Sequence, residues 1–408
     1  MFFAETEPLP GSGALFFRND DFYEIHENYF RDLIDQRTWN ALPGGISCLQ
    51  VPVYWGIPDI NVESRDLSGY RFDTSPYLAN AKEKAAKLLT AWLAQSCSKS
   101  TFTLCPSISH GLLALLWTVK DIGIKNVFFE APAYYASVVQ ATKLEMAPRL
   151  LPTNVDKGFE ISPDDISYLN ERYGRYAIVL TQPKYGTGAD RSITNLRKCL
   201  EVMSDDCIVI IDEAVDQAFP ATLPPNIADN LNLSIFRLRG FMKPMAMNGI
   251  KAAACFHPSA LSGPIRAALE ATGGTLDAYA ARFLEQCSDD TALFQALCQK
   301  ARSTVAERAR QFATAAMGNH QTVIPIENGY FGVLKIDLTL GHRCFEKQRT
   351  RLLETARDEG VPLQLGASMY FPCDSRHEYI RINYFSEPEN LLRSARMIKH
   401  LLNYLHSP

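Results

Sequence analysis

Short, uniformly apolar runs alternate with stretches of helical periodicity through the middle of the chain. A strand with one solvated face alternates apolar and polar positions, whereas a strand covered on both faces does not. The pattern therefore predicts buried strands separated by helices, which is an α/β architecture with a mostly parallel sheet. The predicted strands are residues 101–105, 126–132, 176–183, 207–214, 233–239 and 251–257.

The pattern changes beyond residue 263. A long helical region covers residues 264–317, and three apolar runs follow as strand candidates, "YFGVLKIDL", "GVPLQLG" and "YIRINYF". Strands mixed with helices in this way predict a smaller α+β domain. The predicted division is an N-terminal segment that packs on the small domain (1–60), a large domain (61–265), and an interdomain helix with the small domain (266–408).

Composition and charge narrow the class of protein. The chain has 408 residues, of which 47% are hydrophobic and 21% charged, and its net charge is −4. It lacks the basic excess of a nucleic-acid-binding protein, and the apolar run "GLLALLWTV" is only about half a membrane span. The N-terminus lacks the basic region of a signal peptide. Ten cysteines without a CxxC motif indicate reduced thiols, so we expect a cytoplasmic protein, and no metal-binding spacing is present.

Chemically useful side chains follow the predicted strands, at the edge where an open parallel sheet binds its ligands. The turn "PSISHG" leads from the first strand into a helix, whose N-terminal N–H groups attract an anion. Tyr134 and Tyr135 follow the second strand, Asp212 lies near the end of the fourth, and Lys243 follows the fifth. This set suits pyridoxal phosphate, because a lysine bonds to its aldehyde and a carboxylate keeps its ring nitrogen protonated.

From about residue 65 to its C-terminus, the chain resembles the fold-type I pyridoxal phosphate enzymes, specifically the class I/II aminotransferase group. The segment "RLRGFMKPMAMNGIKAAACF" resembles the family's lysine segment, with Lys243 as the lysine. Lys251 stands in place of the family's phosphate-binding arginine, and Gly240 in place of a serine. The resemblance implies a large domain whose mostly parallel seven-stranded sheet lies between helices, plus a smaller α+β domain.

The resemblance also implies roles for individual residues. Lys243 would carry the cofactor as a Schiff base, Asp212 would bond the ring nitrogen, and Arg381 would clamp the α-carboxylate of the substrate. Tyr134 would stack on the ring, with Tyr135 as the alternative. The phosphate would be bound by Ser107, Ile108, Ser109, Lys251 and Tyr70, the last of which would reach across from a neighbouring subunit.

Two positions beside the cofactor's ring hydroxyl depart from the family. Tyr185, in "KYGTGADR", replaces an asparagine, and Val215 replaces a tyrosine. Both family residues bond the ring hydroxyl, so both contacts are lost in their usual form. The hypothesis that follows is that the Tyr185 phenol supplies one such bond from the other side, as a catalytic and cofactor-binding residue.

Two arginines precede Lys243 on the predicted strand 233–239. Arg237 and Arg239 alternate with apolar residues, a spacing typical of a solvated strand edge. Arg239 is also close enough to Lys243 in sequence to contact substrate or phosphate. Both interpretations of Arg239 stay open at this point.

The implied function is a reaction on an α-amino acid that binds the cofactor as an external aldimine. This releases Lys243, which then moves the α-proton as general base. Transamination is the commonest outcome in this group. The departures around the ring hydroxyl and phosphate leave elimination, γ-replacement, cyclisation and oxygen-dependent oxidation open, all expected in specialised metabolism. A remote alternative is a non-catalytic protein that binds the cofactor or an amino acid. The resemblance further implies a homodimer with the site at its interface.

Overall fold

The structure is a computed structural model that describes residues 76–405 apart from short gaps. Tyr70 and the predicted N-terminal segment lie outside the described residues, as does most of the predicted strand "GVPLQLG". The gaps are residues 96, 98–101, 154, 225–226, 228–230, 248–249, 274–275, 339–344, 359–362, 364–365, 367–376 and 387.

A seven-stranded sheet forms the centre of the larger part of the molecule. Its strands lie in the order β1-β7-β6-β5-β4-β2-β3. β7 runs antiparallel to both of its neighbours, and the other pairings are parallel. The strands are β1 (Phe102–Cys105), β2 (Asn126–Glu130), β3 (Ala147–Leu151), β4 (Ala177–Thr181), β5 (Ile208–Glu213), β6 (Ser234–Gly240) and β7 (Ala253–Phe256).

Helices cover both faces of this sheet. Along β5, Ile208 and Ile210 pack in one hydrophobic cluster, whereas Val209 and Ile211 pack in another on the opposite face. Two covered faces explain why the strand has no polar alternation, and they confirm the predicted helix-sandwiched, mostly parallel sheet. The helices of this part are α1 (Pro76–Leu93), α2 (Ile108–Asp121), α3 (Tyr135–Lys143), α4 (Pro163–Tyr173), α5 (Ile193–Val202), α6 (Ser262–Ala271) and α7 (Ala278–Asp289).

A smaller antiparallel sheet forms the second part, with strand order β10-β9-β8. Its strands are β8 (Gln321–Ile324), β9 (Phe331–Asp337) and β10 (His377–Asn383). They pack with α8 (Thr291–Ala316), α9 (Phe345–Asp358) and α10 (Pro388–Leu405). The predicted helical region 264–317 is divided into α6, α7 and α8, and Asp290 accepts the N–H of Leu293 where α8 begins. Among the described residues, none of the helices is long and apolar enough to span a bilayer.

The two arginines of β6 lie in the interior, so the solvated-edge interpretation is wrong. β6 is flanked by β5 and β7, which leaves it no open edge. Arg237 makes two hydrogen bonds to Glu213, with donor–acceptor distances of 2.6 and 3.0 Å. Arg239 bonds Glu213 at 3.1 Å and Asp216 at 3.0 Å, and its guanidinium lies 4.0 Å from the ring centre of Trp92.

Candidate functional site

A cavity of about 220 Å³ opens at the carboxyl ends of the parallel strands. Its walls come from the segments that follow β4, β5 and β6, from the start of α2, and from the residues that lead into β9. The larger sheet and the smaller sheet therefore both contribute to it. This is the edge at which the sequence predicted the site.

Lys243 lies in a short 3₁₀ turn, Lys243–Met245, directly after β6. The turn closes with a 2.9 Å hydrogen bond from the N–H of Ala246, a left-handed residue, to the Lys243 carbonyl. The Lys243 side chain is exposed to the cavity although the residues on either side of it are buried. Gly240 sits where an added Cβ would lie 3.0 Å from the Ala214 carbonyl oxygen. A serine there would therefore crowd Ala214, the residue that follows β5.

The surroundings of Lys243 shift its amine towards the neutral, nucleophilic form. The side chain opens onto this cavity, deep in the protein, and its separation from bulk water lowers the pKa of the Lys243 amine. The Asp212 carboxylate opposes this shift, and the cations Lys251 and Arg381 add to it. A lysine with a lowered pKa carries more neutral amine near neutral pH, which is what attack on an aldehyde requires.

Asp212 is the buried carboxylate of the cavity wall. It lies near the end of β5, opposite Thr181 of β4 and Leu238 of β6 in the register. One of its oxygens accepts the N–H of Ala214 at 2.8 Å. Burial raises the pKa of Asp212 to about 6, although Lys243 opposes the shift. The site therefore holds a carboxylate that a cation in the cavity would stabilise.

Tyr134 and Tyr135 follow β2, and the structure separates their positions. Tyr134 lines the cavity, with its ring centre 5.7 Å from that of Tyr185. Tyr135 packs against the hydrophobic cluster on the α2 side of the sheet, and its ring centre lies 5.1 Å from that of Tyr134. Burial raises the pKa of Tyr134, and the neighbouring phenols add to the shift, so its hydroxyl stays protonated. Of the two tyrosines, Tyr134 is the better placed to cover a ligand in the cavity.

Arg381 and Tyr185 form a pair that joins the two sheets. Arg381, on β10, is 1% exposed, and its Nη1 donates to the Tyr185 hydroxyl at 2.9 Å. The Phe331 ring centre lies 4.5 Å from the guanidinium carbon, which fixes the plane of the guanidinium. Burial raises the pKa of Tyr185 against the opposing effect of Arg381, so the phenol keeps a proton that it can donate.

The predicted anion-binding turn is the N-terminus of α2. The Ser107 hydroxyl caps the helix, accepting the His110 N–H at 3.2 Å and lying 3.0 Å from His110 Nδ1. Ile108 and Ser109 line the cavity, and the first N–H groups of a helix have no partner within it. Lys251 lines the cavity as well, two residues before β7.

The structure thus brings most of the predicted site together around one cavity, while Tyr70 lies outside the described residues. The cavity wall also includes Lys184, which the sequence analysis did not single out, and whose side chain is 4% exposed and lies 3.0 Å from Glu160. Its ammonium also donates to the carbonyls of Gly158 and Asp190, at 2.7 and 2.8 Å. A lysine directly before the glycine turn was the signal that could have identified it. The predicted residues that line the cavity are Ile108, Ser109, Tyr134, Tyr185, Asp212, Lys243 and Lys251, whereas Ser107 and Arg381 lie behind its wall.

A mostly parallel seven-stranded sheet with a lysine turn after β6, joined to a small antiparallel sheet, defines an aminotransferase-like fold of fold-type I. Solved structures support this class. An aminotransferase from Escherichia coli matches with a TM-score of 0.74 and 14% identity, over 98% of this chain and 100% of that one. The aspartate aminotransferase from Rhizobium meliloti matches at 0.71 and 14%, over 98% and 99%. The one from Thermotoga maritima matches at 0.70 and 15%, over 93% and 97%.

Sequence comparisons add no closer relative. A scan against models of known protein families finds no match, and neither does a comparison with curated proteins. At identities of 14–15% the structural likeness establishes the fold. The chemistry has to be argued from the side chains of the cavity.

Proposed function

We propose that this protein is a pyridoxal phosphate-dependent enzyme that acts on an α-amino acid, most simply as an aminotransferase. One observation carries the proposal. The Lys243 amine and the Asp212 carboxylate face one cavity at the carboxyl ends of the strands. Such a pair provides both the covalent anchor and the partner for a ring nitrogen that this cofactor requires.

The residues that are present fit the cofactor. Asp212 is a carboxylate whose ionised form is destabilised by burial, and a protonated pyridine nitrogen would relieve that penalty. The amine of Lys243 is accessible from the cavity, so an aldehyde could reach it. The N-terminus of α2, at Ile108 and Ser109, and the ammonium of Lys251 together offer a place for a phosphate.

When bound, the cofactor would withdraw electrons from the substrate's α-carbon. The chain's own residues would do the rest. Lys243 would take and return the α-proton as the general base. Arg381 would pair with the α-carboxylate by two parallel hydrogen bonds, and Tyr185 would orient its guanidinium. Tyr134 would cover the face of the ring and keep water from it.

One observation favours a second candidate function. Val215 places an apolar side chain in the cavity wall where the resembling family has a phenol. Loss of that donor changes the electronic balance of the cofactor's ring, on which the choice among reactions depends. Elimination, γ-replacement, cyclisation or oxidation of an amino acid is therefore the alternative to transamination.

The test is to supply the purified protein with pyridoxal phosphate and a panel of amino acids, with and without a 2-oxo acid. Transfer of the amino group to the added 2-oxo acid supports transamination. Release of ammonia or of a side-chain group without it supports the second candidate. Lys243→Ala should abolish the absorbance band of the lysine-bonded cofactor and all turnover, while Lys198→Ala, at an exposed lysine on α5, should change neither. Turnover by the Lys243 variant would overturn the proposal.

A further inference from the structure

Asn328 lies where the chain passes into β9, and its side chain is 1% exposed. Its carboxamide oxygen accepts the N–H groups of Gln217 and Gly329, at 2.9 and 2.7 Å. Its nitrogen donates to Asp216 at 2.7 Å and to Asp190 at 2.9 Å. One buried amide thus ties the entrance of the smaller sheet to the loops that follow β4 and β5.

Gln217 continues this connection to the lysine turn. Its backbone N–H is the donor to Asn328, and its side-chain amide donates to the carbonyl of Pro244 at 3.0 Å. Pro244 is the residue after Lys243 in the 3₁₀ turn. Gln217 is 2% exposed, so this hydrogen bond is shielded from water, and breaking it leaves a buried carbonyl unpaired.

The other end of the connection supports the arginine. Glu327 and Asn328 both donate their N–H groups to the carbonyl of Gly188, at 2.8 and 3.0 Å. Three residues after Asn328, Phe331 begins β9 and stacks on Arg381. The segment that leads into β9 is therefore fixed before it presents the ring on which Arg381 rests.

We propose that Asn328 and Gln217 are positioning residues that act as one unit. They hold the Lys243 turn at a set distance from Phe331, on whose ring Arg381 rests. The inference rests on the proposed function, because it uses the roles given there to Lys243 and Arg381. Proton transfer from a substrate held by its carboxylate requires the amine to lie opposite the α-carbon, and an error of about 1 Å can cost on the order of a hundredfold in rate.

Gln217→Leu is the direct test, because leucine fills similar space without the amide donor. We expect kcat to fall about tenfold with little change in KM, since substrate binding is kept and the lysine's alignment is lost. Gln217→Met serves as a second variant if the leucine variant does not fold. Asn170→Leu is the control, because Asn170, on α4, also donates to a backbone carbonyl, that of Val202 on α5 at 2.6 Å, and neither residue lines the cavity.

A second readout needs no cofactor. In the cofactor-free protein, the pH dependence of reductive methylation at Lys243, followed by mass spectrometry, reports the titration of its amine. The charged groups facing that amine are Asp212, Lys251 and Arg381. A displaced turn would admit water, so in Gln217→Leu the amine should bind protons at least about threefold more tightly. The Asn170 variant should lose thermal stability without moving this titration.

The unit is tested by combining the variants. In an Asn328→Ser background, Gln217→Leu should cause less than half of its effect on kcat, because the connection is already broken. Equal effects in both backgrounds would show independent residues and overturn the proposal. So would Gln217 variants that lose stability while kcat and the Lys243 titration match the wild type. If the wild-type protein takes up no pyridoxal phosphate, the proposed function fails instead, and the methylation readout still decides whether Gln217 positions Lys243.

Discussion

At the scale of single residues, Lys243 and Asp212 lie close enough in one enclosed cavity for their opposite charges to attract. Burial disfavours the charged form of each, and the charge of each stabilises the other. In the cofactor-free protein this leaves Asp212 with a pKa raised to about 6. The cationic ring nitrogen that the proposed function places beside Asp212 would offset this cost in stability.

Asp212→Asn should stabilise the cofactor-free protein, and only at higher pH. The native state binds the Asp212 proton more tightly than the unfolded chain does. Stability is therefore lost as the pH rises from the ordinary aspartate pKa of 3.8 through about 6. The uncharged variant avoids that loss, which is on the order of 2–3 kcal/mol. Thermal unfolding without cofactor should show a higher Tm at about pH 8 and little change at about pH 5. Asp206 is exposed, so Asp206→Asn should leave Tm unchanged at both pH values. A lower Tm for Asp212→Asn at about pH 8 would contradict this account.

Tyr185→Phe separates two roles of one phenol. If the hydroxyl only orients Arg381, the variant should raise KM for the amino acid about tenfold and leave the cofactor's absorbance titration unchanged. If it also donates to the ring hydroxyl, as the sequence suggests, the midpoint of that titration should move as well. We predict both changes. Tyr279→Phe, on the exposed side of α7, is the control. An unchanged titration would rule out the bond to the ring hydroxyl.

At the scale of elements, β6 carries a buried ion network directly below the lysine turn. Removing one partner leaves opposite charges buried and uncompensated, which costs about 3–5 kcal/mol. Arg239→Met should therefore lower the free energy of unfolding by that amount, measured by urea denaturation, because Glu213 and Asp216 both lose a partner. Arg266→Met should cost less than about 1 kcal/mol, since its pair with Glu270 is exposed. Equal losses in the two variants would show that the network does not support β6.

The sequence predicts the strands that are buried on both faces. Strands covered on both faces appear as apolar runs, and their ends then locate Asp212, Tyr185 and Lys243. β3 and β8 escape prediction because "APRLL" and "QTVI" are short runs interrupted by proline or polar residues, and neither is fully buried. Their strand character comes from pairing with β2 and β9, which local pattern does not reveal.

The contacts between distant segments are what the sequence could not supply. Arg239 resembles a solvated residue until its partners, separated from it by 23 and 26 positions, are placed beside it. Gln217 and Asn328 are 111 positions apart, and each is an ordinary polar residue in its own segment. Their function as a pair depends on how two sheets meet, which is a property of the fold.

At the scale of the whole molecule, we propose a homodimer whose cavity is completed across the interface. The resemblance to class I/II aminotransferases implies it, and isologous dimers are the commonest oligomers. Light scattering should give twice the mass of one chain. Tyr70→Phe should weaken retention of the cofactor about tenfold without dissociating the dimer, because one phosphate contact is lost. A monomer that retains the cofactor would contradict the homodimer and the role of Tyr70.

The most direct test of the central claim asks which atom holds the cofactor. The protein would be loaded with pyridoxal phosphate, reduced with borohydride, digested and mapped by mass spectrometry. We predict a phosphopyridoxyl group on Lys243, and no transfer of that label to Lys184 or Lys251 when Lys243 is replaced by alanine. A label on Lys184 or Lys251 in the wild-type protein, or no label at all, would contradict the account.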